Sequence, residues 1–334
     1  WLYRGGIRRQ LKHDRTKRVE SYSSLLKALL FTAIPIVFST AIYNINQIID
    51  LTIFNHIMSS QGYVEQEYMA LQGIYTGKYD TLINVPMAIA NALGASVVPR
   101  LTAAVANGTK HQVNDKINQT LRLTMLIAIP SCVGYFVLAS PIMVLLYNDD
   151  SATPAQLLMM GSIVVVLYGL SSVSNSILHG LNRMTAPAKN AGISLVVHLA
   201  AFCIMMTVFR MNVYALVGGN IVFSLCMCIL NQIKIRKVSG YRIDVIHTFV
   251  KPFIAAAVMG IVTFGVHSLL ALVIGGRFIP AVLSILVAMA VYIVAVLRLG
   301  TLSEEDIKDL PMGVRLLKYC KKLHLLPEAK AEAE

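Results

Sequence analysis

The sequence predicts an all-α membrane protein with eight transmembrane helices. Three observations carry the prediction: eight apolar stretches long enough to cross a bilayer, short polar links between them, and basic residues gathered on alternate links. A helix needs about 20 apolar residues to span a hydrocarbon core roughly 30 Å thick. Spanning strands would instead alternate apolar and polar residues over about ten positions, and these runs are continuously apolar. The composition of the 334 residues, 56% hydrophobic and 14% charged, agrees.

The elements follow in chain order. Residues 1–24 open at Trp1 with the basic stretch WLYRGGIRRQLKHDRTKR, which lacks the apolar core of a signal peptide. They are expected to be a cytoplasmic connector entered midway through a longer protein. The spans are predicted at 25–53, 75–98, 121–147, 154–181, 191–209, 213–233, 249–274 and 278–299. The first six form a block over 25–233, and the last two stand apart over 249–299 after a basic link. Pro35, Pro86, Pro130, Pro141, Pro252 and Pro280 fall inside spans, where each removes a backbone hydrogen bond and can kink its helix. Residues 300–334 form a tail. Ser303 caps the acidic start SEEDIKDL, basic VRLLKYCKKLHLL follows, and an amphipathic cytoplasmic helix on anionic membrane lipid is expected.

Charge placement sets the expected orientation. Of 29 Lys and Arg, 26 lie on one set of links: 8 through Lys27, 4 in 100–122, 2 in 183–189, 5 in 234–251 and 7 from Arg298 onward. Lys78, Arg210 and Arg277 fall on the other side, which carries Asp50, Glu65, Glu67, Asp80, Asp149 and Asp150. Because cytoplasmic links retain Lys and Arg, both termini are expected in the cytoplasm of a multi-pass cell-membrane protein. The net charge of +12 is then a topology signal, split among five membrane-flanking links, and no nucleic-acid partner is expected. Four of the five cysteines lie in spans as small hydrophobes, and Cys226 and Cys228 point to different helix faces, against a metal clip. No enzyme signature or cofactor motif occurs, and links such as 148–153 are too short to hold an active site.

The candidate site lies in the first two spans. At 100° per residue, Thr32, Pro35, Ser39, Tyr43, Asn46 and Asp50 form a narrow stripe on the first, and Gly77, Asp80, Asn84, Asn91 and Ala95 share one side of the second, with Lys78 next to its outer end. Polar groups at these depths are costly against lipid, so the stripes are expected to face each other or an aqueous cavity; interhelical hydrogen bonding without substrate contact is the alternative. Tyr168, Ser171, Asn175 and His179 share a face of the fourth span, read first as helix packing. His198 and His267 stand alone in apolar helices, where bonding within the bundle is more usual than proton coupling. Gly218 and Gly219 mark close helix contact.

The stretch ALQGIYTGKYDTLINVPMAIANALGASVVPRLTAA over residues 70–104, followed by SNSILHGLNRMTAPAKNAG over residues 174–192, resembles the carboxy-terminal half of polysaccharide exporters in the multidrug/oligosaccharidyl-lipid/polysaccharide flippase superfamily. It is similar in particular to the stage V sporulation protein B and Gram-positive lipid II flippase group. The resemblance implies the second six-helix lobe of a two-lobe, MATE-like transporter plus two extra helices, with the amino-terminal lobe absent. It implies export of an undecaprenyl-pyrophosphate-linked saccharide, a peptidoglycan or polysaccharide precursor, with no cofactor or catalysis. The substrate-binding set is then Lys78, Asp80, Asn84 and Asn91 with Ser39, Tyr43, Asn46 and Asp50. Lys78 would pair with pyrophosphate, held by Asp80 when empty. A cation-coupled drug exporter of the same superfamily is the nearest rival, disfavoured because no span shows an acid at its middle; a non-transporting membrane scaffold is the other alternative.

Overall fold

The computed structural model describes residues 21–106, 108, 110–274 and 277–301. Nearly all of the expected connector and the tail helix lie outside them. Among the described residues every regular element is helical: α1 (Tyr22–Ser60), α2 (Glu65–Ile74), α3 (Thr81–Ala106), α4 (Lys110–Val137), α5 (Ala139–Tyr147), α6 (Ala152–Gly180), α7 (Thr185–Thr207), α8 (Tyr214–Ser239), α9 (Lys251–Val273) and α10 (Phe278–Arg298). Two π-helical turns, π1 (Tyr75–Asp80) and π2 (Ile246–Val250), lead directly into α3 and α9.

Seven helices among these residues are long and apolar enough to cross a membrane: Glu65–Ala106, Lys110–Val137, Ala152–Gly180, Thr185–Thr207, Tyr214–Ser239, Ile246–Val273 and Phe278–Arg298. The first expected span lies in α1, 39 residues long, whose apolar segment Tyr22–Phe38 is shorter than the others. Asn44, Asn46, Gln47 and Asp50 make its second half too polar for a lipid-facing span.

Three boundaries differ from expectation. The span predicted at 75–98 is the middle of one continuous helix, Glu65–Ala106, with π1 inside it. The span predicted at 121–147 is two helices: α4 ends at Val137, and α5, 9 residues long, is too short to cross. Pro141 is the cause, because it cannot donate to the carbonyl of Val137 and its ring collides with that carbonyl. Pro280 sits in the first turn of α10, where an amide proton would have no partner, and Pro252 directly follows π2 inside the continuous helix Ile246–Val273.

Packing is built around α6, which lies against α3, α4 and α8; α1 packs on α7, and α9 and α10 pack on each other, with α9 also on α4. Lipid is as apolar as leucine, so close backbone approach and interhelical hydrogen bonds hold such bundles together. The α3–α6 contact shows the close approach: a Cβ on Gly94 would meet Ser176 Oγ at 2.7 Å, and one on Gly180 would meet Leu101 at 2.9 Å. The α6–α8 contact shows the hydrogen bonds, since buried Asn231 donates to Asn175 Oδ1 at 2.8 Å and accepts from Asn190 of α7 at 2.8 Å. Large apolar side chains such as Val37, Ile261 and Leu272 point outward.

Candidate functional site

A polar cavity of about 570 Å³ opens between α1, π1, α3 and α6. Each wall follows from helical phase. α1 turns Asn46 and Asp50, four residues apart, to the same side, and Asn46 Nδ2 donates to Asp50 Oδ2 at 3.3 Å. π1 presents Tyr75, Tyr79 and Asp80; α3 presents Asn84 and Asn91; α6 presents Tyr168, Ser171, Ser172, Asn175 and His179. Asn220 of α8 closes one end and donates to Tyr75 Oη at 2.6 Å.

Asp80 joins three elements. Its Oδ2 accepts from Gln47 of α1 at 3.4 Å and from Asn84 of α3 at 3.2 Å. Across the cavity, Ser172 of α6 donates to Asn91 Oδ1. Of the candidate residues, the structure therefore brings Asn46, Asp50, Asp80, Asn84 and Asn91 onto one wall system. The side chains of Ser39 and Tyr43 lie outside the described residues. The fourth-span group, read first as packing, lines the same cavity: Tyr168, Ser171, Asn175 and His179 all face it.

Lys78 does not. It pairs with Asp149 in the link after α5 and lies 5.9 Å from the Tyr147 ring centroid, away from the cavity wall. The pyrophosphate role expected of it, and its expected contact with Asp80, have no support in this geometry. Residues two apart leave opposite sides of a helix, so Lys78 turns to Asp149 while Asp80 stays on the stripe. Asp149 is a fixed anion: Lys78, with the Ser151 hydroxyl and backbone N–H, holds its carboxyl down at about 2. Asn148, in the left-handed conformation at φ 50°, ends α5 and turns the chain so that both Ser151 groups reach Asp149 Oδ1, at 2.9 Å and 2.6 Å.

Two further findings revise the sequence reading. The cavity wall carries two carboxylic residues, Asp50 and Asp80, and no Lys or Arg among the described residues; Asp50, expected on the wall, is only 3% exposed, so the wall holds a buried acid although no span has one at its middle. His198 is not isolated. Its Nε2 lies 2.7 Å from Asp50 Oδ1 and its Nδ1 2.7 Å from the carbonyl of Gly219 in α8. A Cβ on Gly219 would stand 2.7 Å from His198 Cε1, so the glycine is what lets the imidazole reach that carbonyl. The glycine pair was visible in the sequence; the partner of His198 was not.

The family model described as Lipid II flippase MurJ matches residues 7–284, most of the chain. The chain belongs to the lipid II flippase MurJ family. Its relatives include the lipid II flippase MurJ of Bacillus subtilis (strain 168), 26% identical over 305 residues, covering 87% of this chain and 55% of that protein. The uncharacterized membrane protein YabM of the same organism is 21% identical over 310 residues, covering 92% of this chain and 57% of its own length. This chain thus spans little more than half the length of these two relatives. Among solved structures, the inward closed conformation of lipid II flippase MurJ superimposes with a TM-score of 0.56 at 17% identity, covering 86% of this chain and 57% of that one. The fold is therefore MurJ-like, and the all-helical, multi-pass architecture read from the sequence stands.

Proposed function

We propose that this chain forms the cavity-bearing, carboxy-terminal part of a flippase for an undecaprenyl-pyrophosphate-linked saccharide, working with an amino-terminal lobe of the same protein. The observation that carries the reading is the polar cavity of about 570 Å³, walled by Asn46, Asp80, Asn84 and Asn91 in a bundle of the MurJ family. Amides and hydroxyls of this kind suit the hydroxyl and amide groups of a saccharide headgroup. The absence of Lys and Arg from the described wall means that fixed counter-charge for the pyrophosphate comes from outside this surface. Rocking of one lobe against another about such a midplane site is the general transport motion for this architecture. We infer from the basic links that both termini lie in the cytoplasm. That orientation is supported by Lys78 and Arg277, two of the three basic residues on the expected outer side, which pair with Asp149 and Asp150 of a single link.

A photo-reactive residue at Asn84, with Val37 as a lipid-facing control, tests the reading in membranes containing lipid II. Labelling at Asn84 that unlabelled lipid II competes away, with none at Val37, is expected. Equal labelling at both positions would remove the cavity as a substrate site. One observation favours a second reading: two acids and no cation on the wall suit a cationic cargo, as in a drug exporter of the superfamily. Competition at Asn84 by a lipophilic cation such as tetraphenylphosphonium, and not by lipid II, would select it.

A further inference from the structure

Asp50 and His198 sit 148 residues apart in sequence and meet with both side chains almost fully buried, 4% and 0% exposed. Hydrogen-bond chemistry fixes one proton and leaves another shared. The Gly219 carbonyl can only accept, so His198 Nδ1 carries a hydrogen. The 2.7 Å separation of Nε2 and Asp50 Oδ1 requires one more proton between them, on the imidazole as an ion pair or on the carboxyl as a neutral pair. Either way the pair is electrically neutral with that proton present. Without it, two lone pairs face each other and a buried carboxylate is left with the Asn46 amide in place of a counter-charge, which is costly.

The surroundings give the proton one way in. The ring stacks on Phe202 at 6.0 Å and meets Phe223 edge-on at 6.0 Å, closing the far side. Asp50 lines the cavity, and His198 does not. The titratable groups facing the pair across that cavity are Asp80, Tyr75 and Tyr79 from π1, and Tyr168 and His179 from α6; α8 contributes the Gly219 carbonyl and the amide of Asn220. None supplies a fixed positive charge, so the shared proton alone offsets the Asp50 charge.

We propose that Asp50 and His198 form a one-proton loading site whose occupancy is coupled to anionic lipid in the adjoining cavity. The step is a transfer of one proton between cavity water and the Nε2–Oδ1 bond; no other bond changes. A proton held there fastens α1 to α7 and removes a negative charge from the wall, favouring an anion. By linkage an anion in the cavity favours the proton equally. Loss of the proton loosens α1 from α7. The lipid part of this inference rests on the proposed function, whereas the proton site does not.

Two measurements on the chain in lipid nanodiscs test it. The first is the histidine ¹⁵N spectrum without ligand, followed from about pH 5 to about pH 9, with His198 identified by the signal lost in His198→Gln. Nδ1 should stay protonated throughout while Nε2 changes state, and Asp50→Asn should change the course of that transition. An Nε2 signal unaltered over the whole range, or one indifferent to Asp50→Asn, would overturn the proton site. The second is calorimetric titration with geranylgeranyl pyrophosphate in two buffers of different ionisation enthalpy. Proton uptake per bound lipid should approach one more in the wild-type chain than in Asp50→Asn or His198→Gln. The count per bound lipid does not depend on affinity, and thermal unfolding of each variant separates misfolding from lost proton exchange. Binding with equal proton numbers would overturn the coupling. No binding heat would remove the pyrophosphate-lipid reading, and with it the coupling, while the ¹⁵N result still decides the proton site.

Discussion

Replacing Gly219 by alanine adds one methyl group to the face where α8 meets α7. The new Cβ would lie 2.7 Å from His198 Cε1, 3.1 Å from its Nδ1 and 3.5 Å from Phe202 Cδ2. An ordinary carbon contact is about 3.5–4.0 Å, so the ring or the helix must retreat by close to an ångström. The ring cannot swing aside, because Asp50 and the Gly219 carbonyl hold its two nitrogens while Phe202 stacks on it and Phe223 meets it edge-on. Overpacking of this kind costs about 1–3 kcal/mol. Loss of one of the two 2.7 Å bonds adds roughly 1 kcal/mol. Gly219→Ala should therefore destabilise the bundle by about 2–4 kcal/mol. Gly192→Ala in α7, where nothing lies within 4 Å of the added Cβ, should be neutral or slightly stabilising. Titration with sodium dodecyl sulfate in mixed micelles, read by circular dichroism, gives both unfolding free energies. Values for the two variants within about 0.5 kcal/mol of each other would refute the account of the α7–α8 contact.

Asn231→Ala removes a fully buried amide that bonds Asn175, Asn190 and the Ser171 carbonyl, so it should cost about 2 kcal/mol in the same assay, against roughly 0.6 for Asn190→Ala, which loses one bond. Lys78→Ala should cost only about 0.5–1 kcal/mol near neutral pH, with Lys78→Arg close to wild type. Because Asp149 is held down at about 2, the stabilisation is complete above its unfolded value of about 3.9 and vanishes as pH falls through about 2; a Lys78→Ala penalty that persists below that range would refute the pairing. Single cysteines at Glu65 and Lys237 test orientation in intact cells: an impermeant reagent should label the first and not the second, and the reverse pattern would invert the topology.

The sequence made the helices legible because lipid imposes a length and a composition on every span, and seven of the eight predicted stretches overlie helices long and apolar enough to cross. The failures are local and have local causes. Pro141 was read as a kink within one span, but two neighbouring segments of similar hydropathy hid the fact that its ring ends α4 at Val137. π1 left no trace in hydropathy either, since a wider backbone turn changes phase without changing composition. Lys78 and Asp80 were placed together on one site, yet residues two apart leave opposite sides of a helix, and one reaches Asp149 while the other reaches Gln47 and Asn84.

The site shows the same division between what one helix dictates and what depends on its neighbour. A stripe such as Asn46–Asp50 follows from helical phase alone, and its polarity is enough to say that it avoids lipid. Which helix it meets is set by how α1 crosses α7, and no periodicity within either helix encodes that crossing. His198 therefore looked solitary. The signal that could have found its partner was Gly219, because a small residue at a helix contact makes room for something large on the opposite face, and here an imidazole fills that room between a carbonyl and a carboxyl. The buried acid then takes on a different meaning. A lone Asp50 on the wall would argue for a cationic cargo, but an Asp50 whose charge is balanced by a shared proton leaves Asp80 as the wall's one unpaired carboxylic residue, tied to two amides. A wall of amides and hydroxyls with one such acid is closer to a saccharide surface than to a cation trap, which is why the proton on Asp50 and His198 bears on the choice of cargo.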